Sequence, residues 1–307
     1  MDPIAYARRN DASAGSDMTI EWMPGAVLPV ALAFGLVIGS FLNVVIHRLP
    51  LGISVAYPPS HCPGCETQIK PWDNIPVLAY LWLRGRCRNC QSRISLRYPG
   101  VELATGLIFV ALAWHFGPTL LTVVYCLFAA ALITAGMIDY DHQIIPDSIS
   151  LGGMAVALIV VPLVDYAAGS VYTEAMVRSL LGALIGAGIL WIVAFVHARV
   201  SVALGRTFEH WPGEGESLPR FNEADYWLWF PGMGLGDVKL LGMIGAVLGP
   251  IGVIDTILAS SLAGLALGIT QALAGAALSR PFGFAPAIAL GAIATLFLPE
   301  LWLLKIF

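Results

Sequence analysis

The stretch PGAVLPVALAFGLVIGSFLNVVI, residues 24–46, decides the fold class of this chain because it contains no charged side chain. A helix needs roughly 20 apolar residues to cross the hydrocarbon of a bilayer. We therefore predict a first transmembrane helix over residues 23–46. Residues 1–22 before it are polar, and we interpret them as an N-terminal tail.

Further apolar runs follow this first one and predict about eight membrane helices in total. They cover residues 101–116, 119–138, 149–165, 179–198, 238–253, 256–277 and 285–304. Only 12% of the residues are charged, against about 25% in soluble domains. The sequence thus predicts an all-α, polytopic membrane protein. Gly249-Pro250 within the sixth run marks either a loop or a kink.

The distribution of charge predicts the orientation. Seven of the sixteen Lys and Arg residues lie between Arg48 and Arg97. By the positive-inside rule, this polar segment faces the cytoplasm. The formal net charge of −4 gives no sign of nucleic-acid binding, so the expected non-protein partner is membrane lipid.

The chain divides on this basis into the tail, the first helix, a small cytoplasmic domain over residues 47–98, and a multi-helix membrane domain over residues 99–307. The membrane domain includes a cytoplasmic loop, residues 199–236. Near its end this loop carries the aromatic run YWLWF, residues 226–230. The run is either an interfacial segment at headgroup level or a surface that docks substrate.

Four cysteines in the 47–98 segment predict a metal site. They form the pairs CPGC and CRNC, with 21 residues between the pairs: Cys62, Cys65, Cys87 and Cys90. Each CxxC pair forms a tight turn that presents two thiolates, and two such turns bring four thiolates to one ion. Zinc, or iron in its place, is the expected metal. A closed four-sulfur site is structural, and metal binding would supply much of this small domain's folding free energy.

Three alternatives at the cysteines have less support. Two disulfides are disfavoured in the cytoplasm, and a redox role would not need two CxxC pairs. His61 could replace one ligand because it adjoins Cys62. Cys126 stands alone in an apolar run, which is typical of a small buried hydrophobic residue.

Two carboxylates stand out at the predicted membrane surface. Asp139 ends the third span and Asp237 begins the sixth, so the topology places both at the cytoplasmic face. Two packed carboxyl groups can share a proton, and such a pair can activate water for attack on a peptide bond. Proton-coupled transport and hydrogen bonding within a helix bundle are the alternatives.

Other acids in the apolar segments have structural interpretations. Asp147 precedes a helix and is expected to cap it. Glu102 lies near the start of the second span, where pairing with Arg97 is expected. Asp255 is expected at the outer membrane surface, in an interfacial position.

Six segments occur together in a recognisable order. They are GSFLNVVIHRLP (39–50), the two CxxC pairs, RYPGVELATG (97–106), IDYDHQIIPD (138–147), GMGLGDVKL (232–240) and RPFGFAPAIALG (280–291). Through them the chain resembles the bacterial type IV prepilin peptidases. These belong to the aspartyl intramembrane-type proteases, which also include presenilin.

The resemblance implies a bifunctional enzyme of the bacterial inner membrane. It would cleave the leader of prepilins or pseudopilins on the cytoplasmic side and then methylate the new N-terminus with S-adenosylmethionine. The family's catalytic aspartates correspond to Asp139 and Asp237, and its zinc ligands to the four paired cysteines. A proton- or ion-coupled transporter that uses the same aspartates and a non-enzymatic anchor that presents the zinc domain are the competing hypotheses.

Overall fold

The computed structural model describes residues 23–206, 220–228, 230, 234–273 and 283–298. Over these residues the chain is helical and has only two isolated β-bridges. The helices are α1 Met23–Arg48, α2 Leu78–Trp82, α3 Arg97–Phe116, α4 Leu120–His142, α5 Asp147–Ala167, α6 Tyr172–Ala203, α7 Ala224–Leu228, α8 Leu235–Leu273 and α9 Ala285–Thr295. The predicted N-terminal tail lies outside the described residues.

Six of these helices are long and apolar enough to cross a membrane: α1, α3, α4, α5, α6 and α8. The all-α, multi-pass class is therefore confirmed. The count of about eight spans is not matched within the described ranges. Helix α8 merges two predicted spans, and α9 is apolar but has only 11 described residues.

Helix α8 contains the kink that Gly249-Pro250 predicted. Gly249 has φ 77° and ψ −179°, a conformation favoured only for glycine, and Pro250 follows it. The hydroxyl of Ser179 on α6 donates a hydrogen bond of 2.7 Å to the carbonyl of Ala246, near the end of the first half of α8. The chain is helical across residues 254–255, where the sequence predicted a gap.

The first unit of the chain, up to His142, contains α1 to α4. Helices α1 and α3 pack closely along small residues. A Cβ atom added at Gly35 would meet the backbone of Gly106, and one added at Gly39 would meet the backbone of Glu102. Backbones can approach this closely only where side chains are absent, and this is a common packing mode of membrane helices.

The second unit, from Gln143, contains α5 to α9, and the first half of α8 forms its centre. Residues on all sides of this half-helix are buried, among them Leu240, Leu241, Met243 and Ile244. A helix that is buried on all sides is hydrophobic all round, which explains the almost uninterrupted apolar sequence after Lys239. Its first turn carries Asp237.

Candidate functional site

The four paired cysteines meet in one cluster. Their sulfur atoms all lie within 4.8 Å of one another, and all four are free thiols. The Sγ atoms of Cys62 and Cys90 are 3.8 Å apart. Four sulfurs bound to zinc at about 2.3 Å in a tetrahedron are separated by about 3.8 Å, so the cluster has the size of a Cys₄ zinc site. His61 is not part of it.

Each CxxC pair folds into the same local turn. The amide of Cys62 donates to the carbonyl of Thr67, and the amide of Cys87 donates to that of Ser92, five residues on in both cases. The fourth residue after each of these cysteines has a positive φ: Glu66 at 55° and Gln91 at 61°. Two equivalent turns facing each other supply two ligands each, which explains why the motif occurs twice.

Polar neighbours stabilise thiolates in the cluster. Hydrogen bonds from the Thr67 hydroxyl and then from the Asn89 amide lower the pKa of Cys65 from 9.0 to about 6. A hydrogen bond with the Ser92 hydroxyl is the main cause of the lowered pKa of Cys62. Because the thiolate is the form that binds metal, these hydrogen bonds suit Cys62 and Cys65 to a cation.

Asp139 lies in the last turn of α4 and is buried, with 5% of its surface exposed. Two residues further on, the carboxylate of Asp141 accepts hydrogen bonds from both terminal nitrogens of Arg97, with N···O distances of 2.7 and 2.5 Å. One of these nitrogens also donates to the carbonyl of Met137 at 3.5 Å. Arg97 at the start of α3 therefore holds the turn of α4 that carries Asp139.

Asp237 is the third residue of α8 and is half-buried. Its amide donates to the carbonyl of Gly234, so the glycines before it form the first turn. The first turn of a helix is a favourable place for a carboxylate, because unpaired amides and the helix dipole stabilise negative charge there. The side chain of Ile145 lies close against Gly236.

An ion pair also adjoins Asp237. The ammonium of Lys239, two residues after Asp237, contacts the carboxylate of Asp147 at 2.7 Å. Sequence reasoning missed this pair and the Arg97–Asp141 pair, because their members are 92 and 44 residues apart. In retrospect, a charged residue two positions after each candidate aspartate was the available signal.

Two expectations for other acids are wrong. Asp147 is the first residue of α5, with Pro146 at the capping position and no side-chain cap. Glu102 is not paired with Arg97: it accepts a hydrogen bond of 2.7 Å from the amide of Val77. Asp255, for which an interfacial position stays a prediction, is buried, with only 2% of its surface exposed.

The aromatic run before Asp237 packs against α6. Trp227 stacks on Trp191 and Phe195, with ring centroids 6.3 and 5.3 Å apart. The indole nitrogen of Trp191 donates to the carbonyl of Trp227 at 2.9 Å. The guanidinium of Arg199 lies 3.8 Å from the ring centroid of Tyr226. These aromatic residues therefore contact α6 and not only solvent or headgroups; Trp229 lies outside the described residues.

Known proteins resemble this chain over most of its length. A prepilin leader peptidase/N-methyltransferase of Neisseria gonorrhoeae is 34% identical over 89% of this chain and 90% of its own length. The protein of the same name from Pseudomonas aeruginosa is 34% identical over 87% and 89%. A type 4 prepilin-like proteins leader peptide-processing enzyme of Escherichia coli is 34% identical over 91% and 97%.

Two family models match consecutive parts of the chain. The bacterial peptidase A24 N-terminal domain matches residues 33–116, and the type IV leader peptidase family matches residues 126–269. The chain belongs to the type IV leader peptidase family. The four clustered cysteines fall within the first match, and Asp139 and Asp237 fall within the second. No solved structure matches the chain.

Proposed function

We propose that this leader peptidase family member cleaves the leader peptide of type IV prepilins or pseudopilins and then methylates the new N-terminus. The observation that carries the proposal is similarity over nearly the whole chain to enzymes named for both activities. The multi-pass helices suit substrates that are themselves held in a membrane. The charge pattern supports an inner-membrane location with the site on the cytoplasmic side.

The proposed catalytic groups for cleavage are Asp139 and Asp237. One carboxylate accepts a proton from a water molecule, whose oxygen then attacks the carbonyl carbon of the scissile peptide bond. The other carboxyl group donates its proton to the leaving amide nitrogen as the C–N bond breaks. The reaction consumes one water and yields a carboxylate and an amine, so it needs no nucleophilic side chain.

The proposed metal is zinc, bound by Cys62, Cys65, Cys87 and Cys90. Zinc in a closed four-sulfur site supplies a structural cross-link and leaves no open position for substrate. The size of the cluster and the donors around its thiols support this choice. The proposed methyl donor is S-adenosylmethionine, in line with the second activity in the relatives' names.

The decisive experiment is a leader-cleavage assay on Asp139→Asn and Asp237→Asn in reconstituted membranes. Each change keeps the size of the side chain but removes its acid–base function, so we expect cleavage to fall by at least about 100-fold. Asp225→Asn is the control, because Asp225 is exposed on α7. Mass analysis of the wild-type product should show one added methyl group when S-adenosylmethionine is supplied.

Two outcomes would contradict this proposal. Cleavage at the normal rate by either folded variant would remove that aspartate from the site. A wild-type protein that leaves prepilin intact would overturn the peptidase function itself.

A further inference from the structure

The short helix α2 in the cysteine-containing segment carries an apolar surface that the leader peptidase function does not use. Leu78, Leu81 and Trp82 are exposed by 55%, 63% and 48%. They occupy positions i, i+3 and i+4, so they share one face of the helix. Trp72 and Ile75, shortly before α2, are exposed as well. Five exposed large apolar residues within 11 positions call for an explanation in terms of a partner.

A hydrogen bond fixes the depth of α2 along the membrane helices. The amide of Val77, directly before α2, donates to the carboxylate of Glu102 at 2.7 Å. Glu102 also adjoins α1, because a Cβ atom added at Gly39, the neighbour of Ser40, would meet the backbone of Glu102. Glu102 lies five residues inside α3, about 7.5 Å from its first residue, and Ser40 lies about 12 Å from the end of α1. The start of α2 is therefore tied to a side chain whose backbone lies inside the ends of both helices.

The surroundings at this depth are apolar. Phe41 and Leu103 are the neighbours of Ser40 and Glu102 in sequence, and both are exposed, by 49% and 45%. Helix α1 has 26 residues and is about 39 Å long, whereas the hydrocarbon core is about 30 Å thick. The last turns of α1 therefore extend through the headgroup region, and Ser40 and Glu102 lie close to its boundary with the acyl chains.

The residue types around the apolar face match this position. Tryptophan is enriched at membrane–water interfaces, where its ring meets both acyl chains and headgroups. The basic residues Lys70, Arg84 and Arg86 flank the face and are exposed. Cationic side chains at such a surface are attracted to anionic lipid headgroups.

We propose that residues 72–82 form a membrane-interface anchor, with Leu78, Leu81 and Trp82 inserted among the lipid acyl chains. The partner of this surface is the bilayer that holds α1 and α3. The cysteine cluster is then fixed to the membrane surface at a third point, besides its two connections to α1 and α3. This inference does not depend on the peptidase activity.

Site-specific photo-cross-linking tests the anchor. The full chain carries p-benzoylphenylalanine at Leu81 or at Trp72 and is reconstituted into vesicles of phosphatidylethanolamine and phosphatidylglycerol. Gln68 is the matched control, because it is an exposed polar residue of the same segment. Illumination should attach lipid at positions 81 and 72, and mass analysis should find at least about tenfold less lipid at position 68.

Other outcomes would overturn the proposal. Each variant is first shown to keep the melting temperature of the wild type, so that misfolding is not mistaken for a result. Absence of lipid adducts at both 81 and 72 would show that the face is not in the bilayer. Equal labelling at all three positions would show that the face has no preference for lipid. Attachment to protein in place of lipid would identify a protein-docking surface.

Discussion

Arg97 illustrates how one residue can support a proposed catalytic group through the neighbours of that group. Its two terminal nitrogens donate hydrogen bonds to the carboxylate of Asp141, and one of them also donates to the carbonyl of Met137. Asp139 lies between these two contacts on α4. A bidentate guanidinium–carboxylate pair fixes geometry more strictly than a single hydrogen bond does. Arg97 is therefore a positioning residue for the proposed peptidase site.

Replacing Arg97 should lower the rate of cleavage more than the binding of substrate. Both partners are partly exposed, so a contribution of about 1 kcal/mol is expected. Arg97→Met should then reduce kcat about fivefold and leave KM nearly unchanged. Arg97→Lys should recover part of the rate, and Asp141→Asn added to Arg97→Met should cause little further loss.

The control for this prediction is Arg178→Met. Arg178 on α6 forms a comparable ion pair with Asp165 on α5. The folded Arg178→Met variant should have the same kcat as the wild type. An equal loss in kcat from both variants would show that the loss of either ion pair disturbs the protein in a general way. Arg97 would then have no role in positioning Asp139.

At the scale of the helices, α6 and α8 meet through glycine. A Cβ atom at Gly186 would collide with the carbonyl oxygen of Leu241, and one at Gly182 with that of Gly245. Gly188 on the same helix has open space at the corresponding position. The two helix axes can approach this closely only because the first two positions lack side chains.

This contrast makes a paired prediction about stability. Gly186→Ala should destabilise the protein by about 1–3 kcal/mol, because the new methyl group must force the helices apart. Gly188→Ala should be neutral or stabilising, since alanine favours a helix by about 1 kcal/mol over glycine. Thermal melting in one detergent measures both. A lower melting temperature for Gly188→Ala than for Gly186→Ala would contradict the packing described.

The helices show what a sequence can and cannot predict. Long apolar runs identify membrane helices because unpaired backbone groups are too costly in lipid. The kink in α8 could be predicted from Gly249-Pro250, but the further gap expected at Asp255 is absent, because this residue is buried within a continuous helical stretch. Glu102 was paired with the wrong group for a similar reason: its partner is a backbone amide 25 residues away, which no local spacing reveals.

For the whole molecule, the candidate site was predictable in part. The four cysteines could be grouped from their spacing, because each CxxC turn is a local structure that folds in a known way. The aspartates could be selected from the topology, since a carboxyl group within a membrane-spanning segment is uncommon and both fall at the same end of their spans. The ion pairs beside them depend on how distant helices pack, so they became visible only in the structure.

Metal removal should affect the segment between α1 and α3 far more than the membrane helices. This segment has two isolated bridges, two 3₁₀ turns and one five-residue helix, so little besides the metal cluster can stabilise it. We expect purified protein to hold about one zinc ion per chain. Cys62→Ser should lose that zinc and become sensitive to protease between residues 49 and 96, while α4 to α6 stay protected.

Cys126→Ser is the matched control, because Cys126 lies outside the cluster, and it should keep both zinc and protease resistance. Elemental analysis and mapping of the proteolytic fragments measure the two effects, and full zinc content in Cys62→Ser would refute the four-cysteine site.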